Sequence, residues 1–481
     1  MITKNDINPN LLKAEYAVRG PIVDRAQQLE SEGRKIIYCN IGNPQALKQK
    51  PLTYLRQILS LVEYPDLLMK EETRKLFPGD VIERAKLILE QHPHGTGAYS
   101  QSAGITFIRK AVAEFITRRD GIPSDKDNII LTDGASKGVQ SALMALLKDS
   151  NDGVMIPIPQ YPLYSATITL YGGRQIGYYI DEENGWQLSE RALTESIGSA
   201  KKKGINPVAI AVINPGNPTG AVLSYENIRM IAAFARKHHL SILADEVYQD
   251  NVYGKDSAFH SFAKVLSDMG ETEVSLFSFH SISKGLLGEC GHRGGYAEFR
   301  NIPDSVRGEL VKLQSVSLCS NLPGQIATYV MVFPPQPGDE SYALYKQERD
   351  AIYAALKAKA KLLGEGINEI NGMSVVIPDG AMYAFVRIDL PSDPNIDTDA
   401  LSDEACLAYE ARRDTDYCLA LLEETGICVV PGSGFGQVSG TLHFRTTFLP
   451  PKDEIEALVV KLKAFHEKYC EHIAHTEENI A

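Results

Sequence analysis

The chain has 481 residues, 44% hydrophobic and 23% charged, the balance of a folded globular protein and not of a disordered one. Its 61 acidic residues outnumber 49 basic ones, and the net charge of -12 repels nucleic-acid phosphates and anionic membrane surfaces, so neither is an expected partner. The length exceeds one ordinary core, which calls for two or three domains, and no apolar run approaches the ~18 residues a membrane span needs.

Residues 1–70 mix short polar helical patterns with loops, among them the turn cluster Asn40-Ile41-Gly42-Asn43-Pro44. The first residues lack both the apolar core of a secretion signal and the Arg-rich pattern of a transit peptide, so a cytoplasmic location is expected. From about residue 75 the text becomes rhythmic. Strands are predicted over 128–132, 153–157, 208–213, 240–244 and 274–279, and the first is followed by the helical pattern Val139, Leu143, Leu146, Leu147. Such nearly continuous apolar runs, separated by helical stretches, predict an α/β fold with a mostly parallel sheet covered on both faces. A long charged helix over 344–371 leads to a second unit, with a strand over 381–385, a helix over 415–425 and an apolar segment at 427–430. Between them the acid-rich stretch 391–416, with Asp393, Asp397, Asp399, Asp403, Asp414 and Asp416, reads as a solvated surface excursion. Seven dispersed cysteines without a C-x-x-C pair argue against a disulfide framework or a zinc site, and for a reducing compartment.

Ligands of an open parallel sheet sit outside the carboxyl ends of its strands. Polar residues cluster just there: Gly134-Ala135-Ser136, then Asn214-Pro215-Gly216-Asn217-Pro218-Thr219-Gly220, then Asp245-Glu246-Val247-Tyr248, then His280-Ser281-Ile282-Ser283-Lys284-Gly285. Each has an ordinary reading of its own. A lone Asp after a strand caps a helix, an Asn-Pro pair makes a turn, and most lysines are surface charges. At successive strand ends they meet the needs of one cofactor, pyridoxal 5'-phosphate. That cofactor requires an imine-forming lysine, a carboxylate facing its ring nitrogen, donors to its phenolic oxygen and an anion cradle. The helix opening at Gly134, Ala135 and Ser136 suits the phosphate, because free N–H groups and the positive dipole end bind anions. The pairs His92/His94 and His238/His239 lack companions at metal-ligand spacing, so no metal is expected. The Gly-rich run 432–436 is not a dinucleotide fingerprint.

The run 278–285, continued by Gly288-Glu289-Cys290-Gly291 and Arg293-Gly294-Gly295-Tyr296, resembles the lysine segment of alanine aminotransferases, which are fold-type-I pyridoxal-phosphate enzymes. The resemblance extends through 159–167, 245–253 and 431–436 and covers about residues 14 to 450. Leu286, His292 and Val386 depart from the usual pattern, and none of the three is a reacting group.

The resemblance implies a large cofactor domain over 75–340 and a smaller α/β domain over 341–481, with residues 1–74 as an N-terminal arm and part of the small domain. It implies that Lys284 carries the cofactor and moves a proton, that Asp245 faces the ring nitrogen, and that Tyr248 and Asn217 bind the phenolic oxygen. Tyr161 is implied to stack on the ring. Ser281 and Arg293 complete the phosphate cradle, with Tyr99 donated by the other subunit of a homodimer. Arg445, helped by the backbone of Gly42 and by Asn217, is implied to bind the substrate α-carboxylate. The activity implied is reversible transfer of an amino group between L-alanine and 2-oxoglutarate, with glyoxylate as the alternative acceptor. Partners beyond the homodimer are therefore small amino acids and 2-oxo acids.

Overall fold

The computed structural model describes residues 1–16, 20–391 and 401–478. Thirteen strands occur among them. In chain order they are β1 Ile37–Tyr38, β2 Ile129–Thr132, β3 Asp152–Ile158, β4 Arg174–Tyr179, β5 Asn206–Ile213, β6 Ser241–Asp245 and β7 Leu276–Ser281, followed by β8 Gly295–Arg300, β9 Met373–Ser374, β10 Tyr383–Ile388, β11 Ile427–Cys428, β12 Val430–Pro431 and β13 Leu442–Thr447. A seven-stranded sheet takes the order β2-β8-β7-β6-β5-β3-β4. Strands β7, β6, β5, β3 and β4 run parallel, and β8 lies antiparallel to both its neighbours. The inner parallel strands β3, β5 and β6 are apolar for most of their length because helices cover both faces: Ile210, Ala211, Ile242 and Leu243 are buried, as are Leu276 and Phe277 of β7.

The helix Ala135–Leu146 packs Val139, Ala142 and Leu143 into this core. Gly138 allows its close approach, since a Cβ there would stand only 3.0 Å from the Phe279 ring. Two strands escaped the apolar-run reading. Edge strand β4 alternates exposed and buried residues, with Arg174 and Gln175 outward, and β8 carries Glu298 in its middle.

The second unit is the four-stranded antiparallel sheet β12-β13-β10-β9, backed by the helices Tyr342–Asn368 and Asp403–Thr425, on which the helix Lys452–Glu478 packs. Strand β1 pairs with β11, which ties this N-terminal segment to the C-terminal unit. The rest of 1–74 divides differently. The helix Thr53–Glu63 buries Leu55, Ile58 and Val62 in one cluster with Val81, Ile108, Leu131, Tyr296 and Ile326, which belong to the seven-stranded sheet and its helices. Its apolar residues lie on more than one face, and the nearest covering surface is that of the large unit.

The acid-rich stretch is also corrected. Its second half is part of the helix Asp403–Thr425, N-capped by the Ser402 side chain and closed at Gly426 with φ 76°. Asp414 is fully buried, accepting hydrogen bonds from the Ser433 N–H at 2.7 Å, the Ser433 hydroxyl at 2.9 Å and the Gln437 amide at 3.2 Å. That acid is an internal cap for the turn Gly432–Phe435 and not a solvated charge. Asp393, Asp397 and Asp399 lie outside the described residues.

Candidate active site

At Lys284, which follows β7, the end of β6 with Asp245 and Tyr248 meets Gly42 and Tyr383. The lysine stands in the connection between β7 and β8, whose register pairs Ser281 with Gly295 and His280 with Tyr296. Its half-buried amine donates a hydrogen bond to the Gly42 carbonyl oxygen. The predicted turn at 40–44 is thus drawn over the lysine, and Gly42 must be glycine: a Cβ there would meet the Tyr383 hydroxyl at 1.8 Å and the lysine nitrogen at 3.0 Å.

Asp245 ends β6, paired with Ile213 on one side and Phe279 on the other. One carboxylate oxygen accepts from the Tyr164 hydroxyl at 3.2 Å, while Oδ1 is buried with no partner. Burial pushes this carboxyl up to about 6, against the opposing hydrogen bonds of Tyr164 and Val247 and the charge of Lys284. An unpartnered acidic oxygen in the interior requires a proton donor or a cation opposite it.

Tyr248, three residues on, is buried and donates to the Tyr383 hydroxyl oxygen at 3.3 Å. The two phenols move in opposite directions. Burial and the neighbouring Tyr383 raise Tyr248 well above its ordinary value. Burial also pushes Tyr383 up, but the charges of Lys284 and Arg445 and the bond from Tyr248 outweigh it, so Tyr383 is lowered.

Arg445 sits in β13 and is 1% exposed. Its guanidinium donates to Asn217 Oδ1 at 3.1 Å and to the Asn40 carbonyl, and lies 4.3 Å from the ring centre of Tyr383 and 4.7 Å from that of Phe435. Its Nε has no partner. A charge buried this deeply between two aromatic faces and two neutral acceptors calls for an anion.

At the other end Gly134, with φ 76°, opens the helix that begins at Ala135, and the half-buried Ser136 follows. Arg293 reaches across to it. Its guanidinium donates to the Asp133 carbonyl at 3.1 Å, the Ser283 hydroxyl at 3.1 Å and the Cys290 carbonyl at 2.9 Å. A Cβ on Gly134 would be 2.4 Å from that guanidinium. The Ser281 hydroxyl accepts from the Ser283 N–H at 3.0 Å and donates to the Gly294 carbonyl at 3.1 Å. Helix N–H groups beside an arginine fork form an anion cradle.

Tyr161 is half-buried, with its hydroxyl 2.8 Å from that of Tyr16. Tyr99 makes none of these contacts and is 74% exposed. The structure thus gathers Lys284, Gly42, Asp245, Tyr248, Asn217 and Arg445 in one network and Gly134, Ser281 and Arg293 in another, and leaves Tyr99 outside both. It adds Tyr383, Asn40, Phe435, Tyr164 and Ser283. Tyr164 and Phe435 lay inside segments of recognisable pattern, whereas Asn40 and Tyr383 carry no local signal, since their chemistry depends on contacts across the fold. A groove of about 1110 Å³ opens elsewhere, lined by Glu182, Trp186, Arg387 and His443 but by none of Lys284, Asp245 or Tyr248. Volume alone points to the wrong place; the unpartnered Asp245 and Arg445 atoms mark the chemistry.

Residues 69–462 match the family of class I and II aminotransferases. The chain belongs to that family. Among curated relatives of this aminotransferase, a probable mitochondrial alanine aminotransferase of Dictyostelium discoideum is 50% identical, over 97% of this chain and 89% of that one. Alanine aminotransferase 1 of Homo sapiens is 47% identical, over 98% and 95%. Glutamate–glyoxylate aminotransferase 1 of Arabidopsis thaliana is 47% identical, over 96% and 95%. Among solved structures, an Escherichia coli aminotransferase superposes with a TM-score of 0.75 at 26% identity, covering 96% of this chain and 98% of that one. An alanine aminotransferase from Pyrococcus furiosus gives the same score and identity, covering 96% and 100%.

The aminotransferase's cofactor is pyridoxal 5'-phosphate. The residues fit it: Lys284 offers the amine, the orphaned Asp245 oxygen awaits a protonated ring nitrogen, and the missing Cβ of Gly134 lets the Arg293 guanidinium lie against the helix start at Ala135, the donor set a phosphate requires.

Proposed function

We propose that this aminotransferase exchanges an amino group between L-alanine and 2-oxoglutarate, giving pyruvate and L-glutamate, with the site residues in the following roles. The carrying observation is 47–50% identity to relatives named alanine aminotransferase across nearly the whole chain. Bound pyridoxal phosphate supplies a cationic ring that accepts the electron pair released at the substrate α-carbon. Asp245 holds the proton on the ring nitrogen, for which a buried carboxylate with one free oxygen is suited. Tyr248 and the Asn217 amide nitrogen orient the phenolic oxygen, since Asn217 Oδ1 is taken by Arg445. Lys284, once its amine is released, moves the proton from the α-carbon. Its bond to Gly42 keeps the amine at the mouth of the substrate pocket. Arg445 binds the α-carboxylate. Gly134, Ala135, Ser136, Ser281 and Arg293 hold the phosphate, and Tyr161 covers the ring.

The active form we infer is a homodimer in which the exposed Tyr99 serves the phosphate of the neighbouring subunit. Seven free cysteines support a reducing compartment, the cytosol by preference.

Incubating the purified holoenzyme with L-alanine alone is expected to convert the cofactor's visible absorbance to that of its amine form, with release of pyruvate. An unchanged spectrum refutes alanine as donor. A second reading, with glyoxylate as acceptor, is favoured by the relative of that specificity at 47% identity. Competing pyruvate and glyoxylate at equal concentration against glutamate separates the two.

A further inference from the structure

Arg445 is reached from the far side by a structure that the site does not explain. Beyond β4 the chain makes a tight turn, closed by an Asp181–Gln187 bridge and stitched by Asp181, whose carboxylate accepts from the Glu183 N–H at 3.1 Å and the Asn184 amide. This turn belongs to the large unit, yet it grips two strands of the small one. Glu182 lies 3.1 Å from His443 Nε2 and 3.8 Å from Arg387, with His443 in β13 and Arg387 opposite it in β10. The other His443 nitrogen stands 3.1 Å from Gln437 Oε1, and Gln437 in turn donates to buried Asp414.

His443 and Arg445 are two residues apart on one strand and so share a face. The ring of His443 stacks on Phe385 at 4.6 Å and 9°, and Phe385 is the register partner of Arg445. Trp186, from the same turn as Glu182, sets its edge against Phe385 at 5.9 Å and His443 at 6.3 Å. Phe385 meets Phe435 edge-on at 6.0 Å, and Phe435 is one of the two rings that sandwich the Arg445 guanidinium. A continuous path of packed rings therefore runs from a surface carboxylate to the substrate arginine.

We infer that Glu182 and His443 form a clasp between the two units that positions Arg445 for the α-carboxylate. The inference rests on the reading of Arg445 given above. Glu182 and His443 are positioning residues: neither joins the contacts of Lys284, Asp245 or Tyr248. Glu182 keeps about a fifth of its side chain exposed, so its substitution perturbs a surface turn and not the core.

The test uses the holoenzyme and the chain's single tryptophan, Trp186, whose fluorescence reports on the clasp without ambiguity. Propionate, an alanine-shaped carboxylate without an amine, is the probe. Glu182→Ala is expected to raise KM for alanine and the dissociation constant for propionate together, by about fivefold for the loss of a partly exposed hydrogen bond, while kcat stays within about twofold. Glu182→Gln, which keeps an acceptor oxygen for His443, is expected to restore both to within about twofold. A loss confined to kcat, or Glu182→Ala binding propionate as the parent does, overturns the clasp. Arg445→Gln is measured beside them. If it too leaves propionate binding unchanged, the arginine reading fails and the clasp falls with it; if it abolishes binding while Glu182→Ala does nothing, the clasp alone fails.

Discussion

The two ends of the active site are built in different ways. The phosphate end consists of residues from two loops, 133–136 and 281–293, hung on strands β2, β7 and β8, which are neighbours in one sheet. Its donors are backbone N–H groups, serine hydroxyls and one arginine, placed by a helix start and a short connection. The carboxylate end takes Asn40 and Gly42 from near the N-terminus, Asn217 from the large sheet, and Tyr383, Phe435 and Arg445 from the small unit. The first end is set by local geometry, the second by how distant pieces are assembled. On the proposed roles, cofactor retention and substrate capture are therefore expected to be separable.

The largest expected effect falls on the assembled end. Arg445→Ala is expected to lower kcat/KM for alanine by ~10⁴-fold, since a site built for a charged partner rejects substrate when that partner is lost. Cofactor affinity should change far less; comparable losses in both would erase the contrast between the ends. Gly134→Ala is the complementary probe. It places a methyl group 2.4 Å from the Arg293 guanidinium at a backbone φ of 76°, and is expected to weaken cofactor binding roughly tenfold or more. Spectrophotometric titration of the apoenzyme measures it, and parent-like cofactor affinity would contradict the cradle.

Tyr383→Phe sharpens the picture at the point where the ends meet. The ring under Arg445 is kept and the hydroxyl beside Tyr248 and Lys284 is removed, so kcat is expected to fall about tenfold with a smaller change in KM. Because Tyr383 is lowered by its cationic neighbours, the alkaline limb of the pH–rate profile should move in this variant. An unshifted profile would reduce the hydroxyl to a space-filler.

The last expected effect falls on stability and leaves the chemistry untouched. His280 in β7 is buried, neither ring nitrogen has a partner, and burial pushes it down to about 3. An unfolded histidine titrates near ~6.5, so between these values the unfolded chain binds the extra proton, and stability falls as pH drops through that window. Between pH 7 and 5 the parent should lose ~2 kcal/mol more than His280→Leu, read from urea unfolding at both pH values. Equal acid losses in the two proteins would count against it.

The same contrast explains what the sequence made legible. Strands β3, β5, β6 and β7 are apolar for most of their length, so their positions could be read to within two residues, and the reactive groups followed at their carboxyl ends. Lys284, Asp245, Tyr248, Asn217, Arg293 and Arg445 stood in segments of recognisable pattern. Tyr383 was within a predicted strand, but nothing nearby in sequence announced that its hydroxyl would fill the space above Gly42. Asn40 contributes only a carbonyl, which any residue possesses. Asp414 was misread because charge density was taken for solvation; its partners, Ser433 and Gln437, are some 20 residues downstream. Thr53–Glu63 was grouped by chain position with the arm, whereas burial of Ile58 and Val62 ties it to the large unit.

The antiparallel insertion of β8 carries one more consequence. Because β7 and β8 are hydrogen-bonded neighbours, Lys284 and Arg293 hang from a single stirrup whose two straps are welded side by side. Arg445 instead stands on β13, a strand of the other sheet. On the roles proposed above, the vitamin is thus moored at both tips to one sheet, and the visiting amino acid to another.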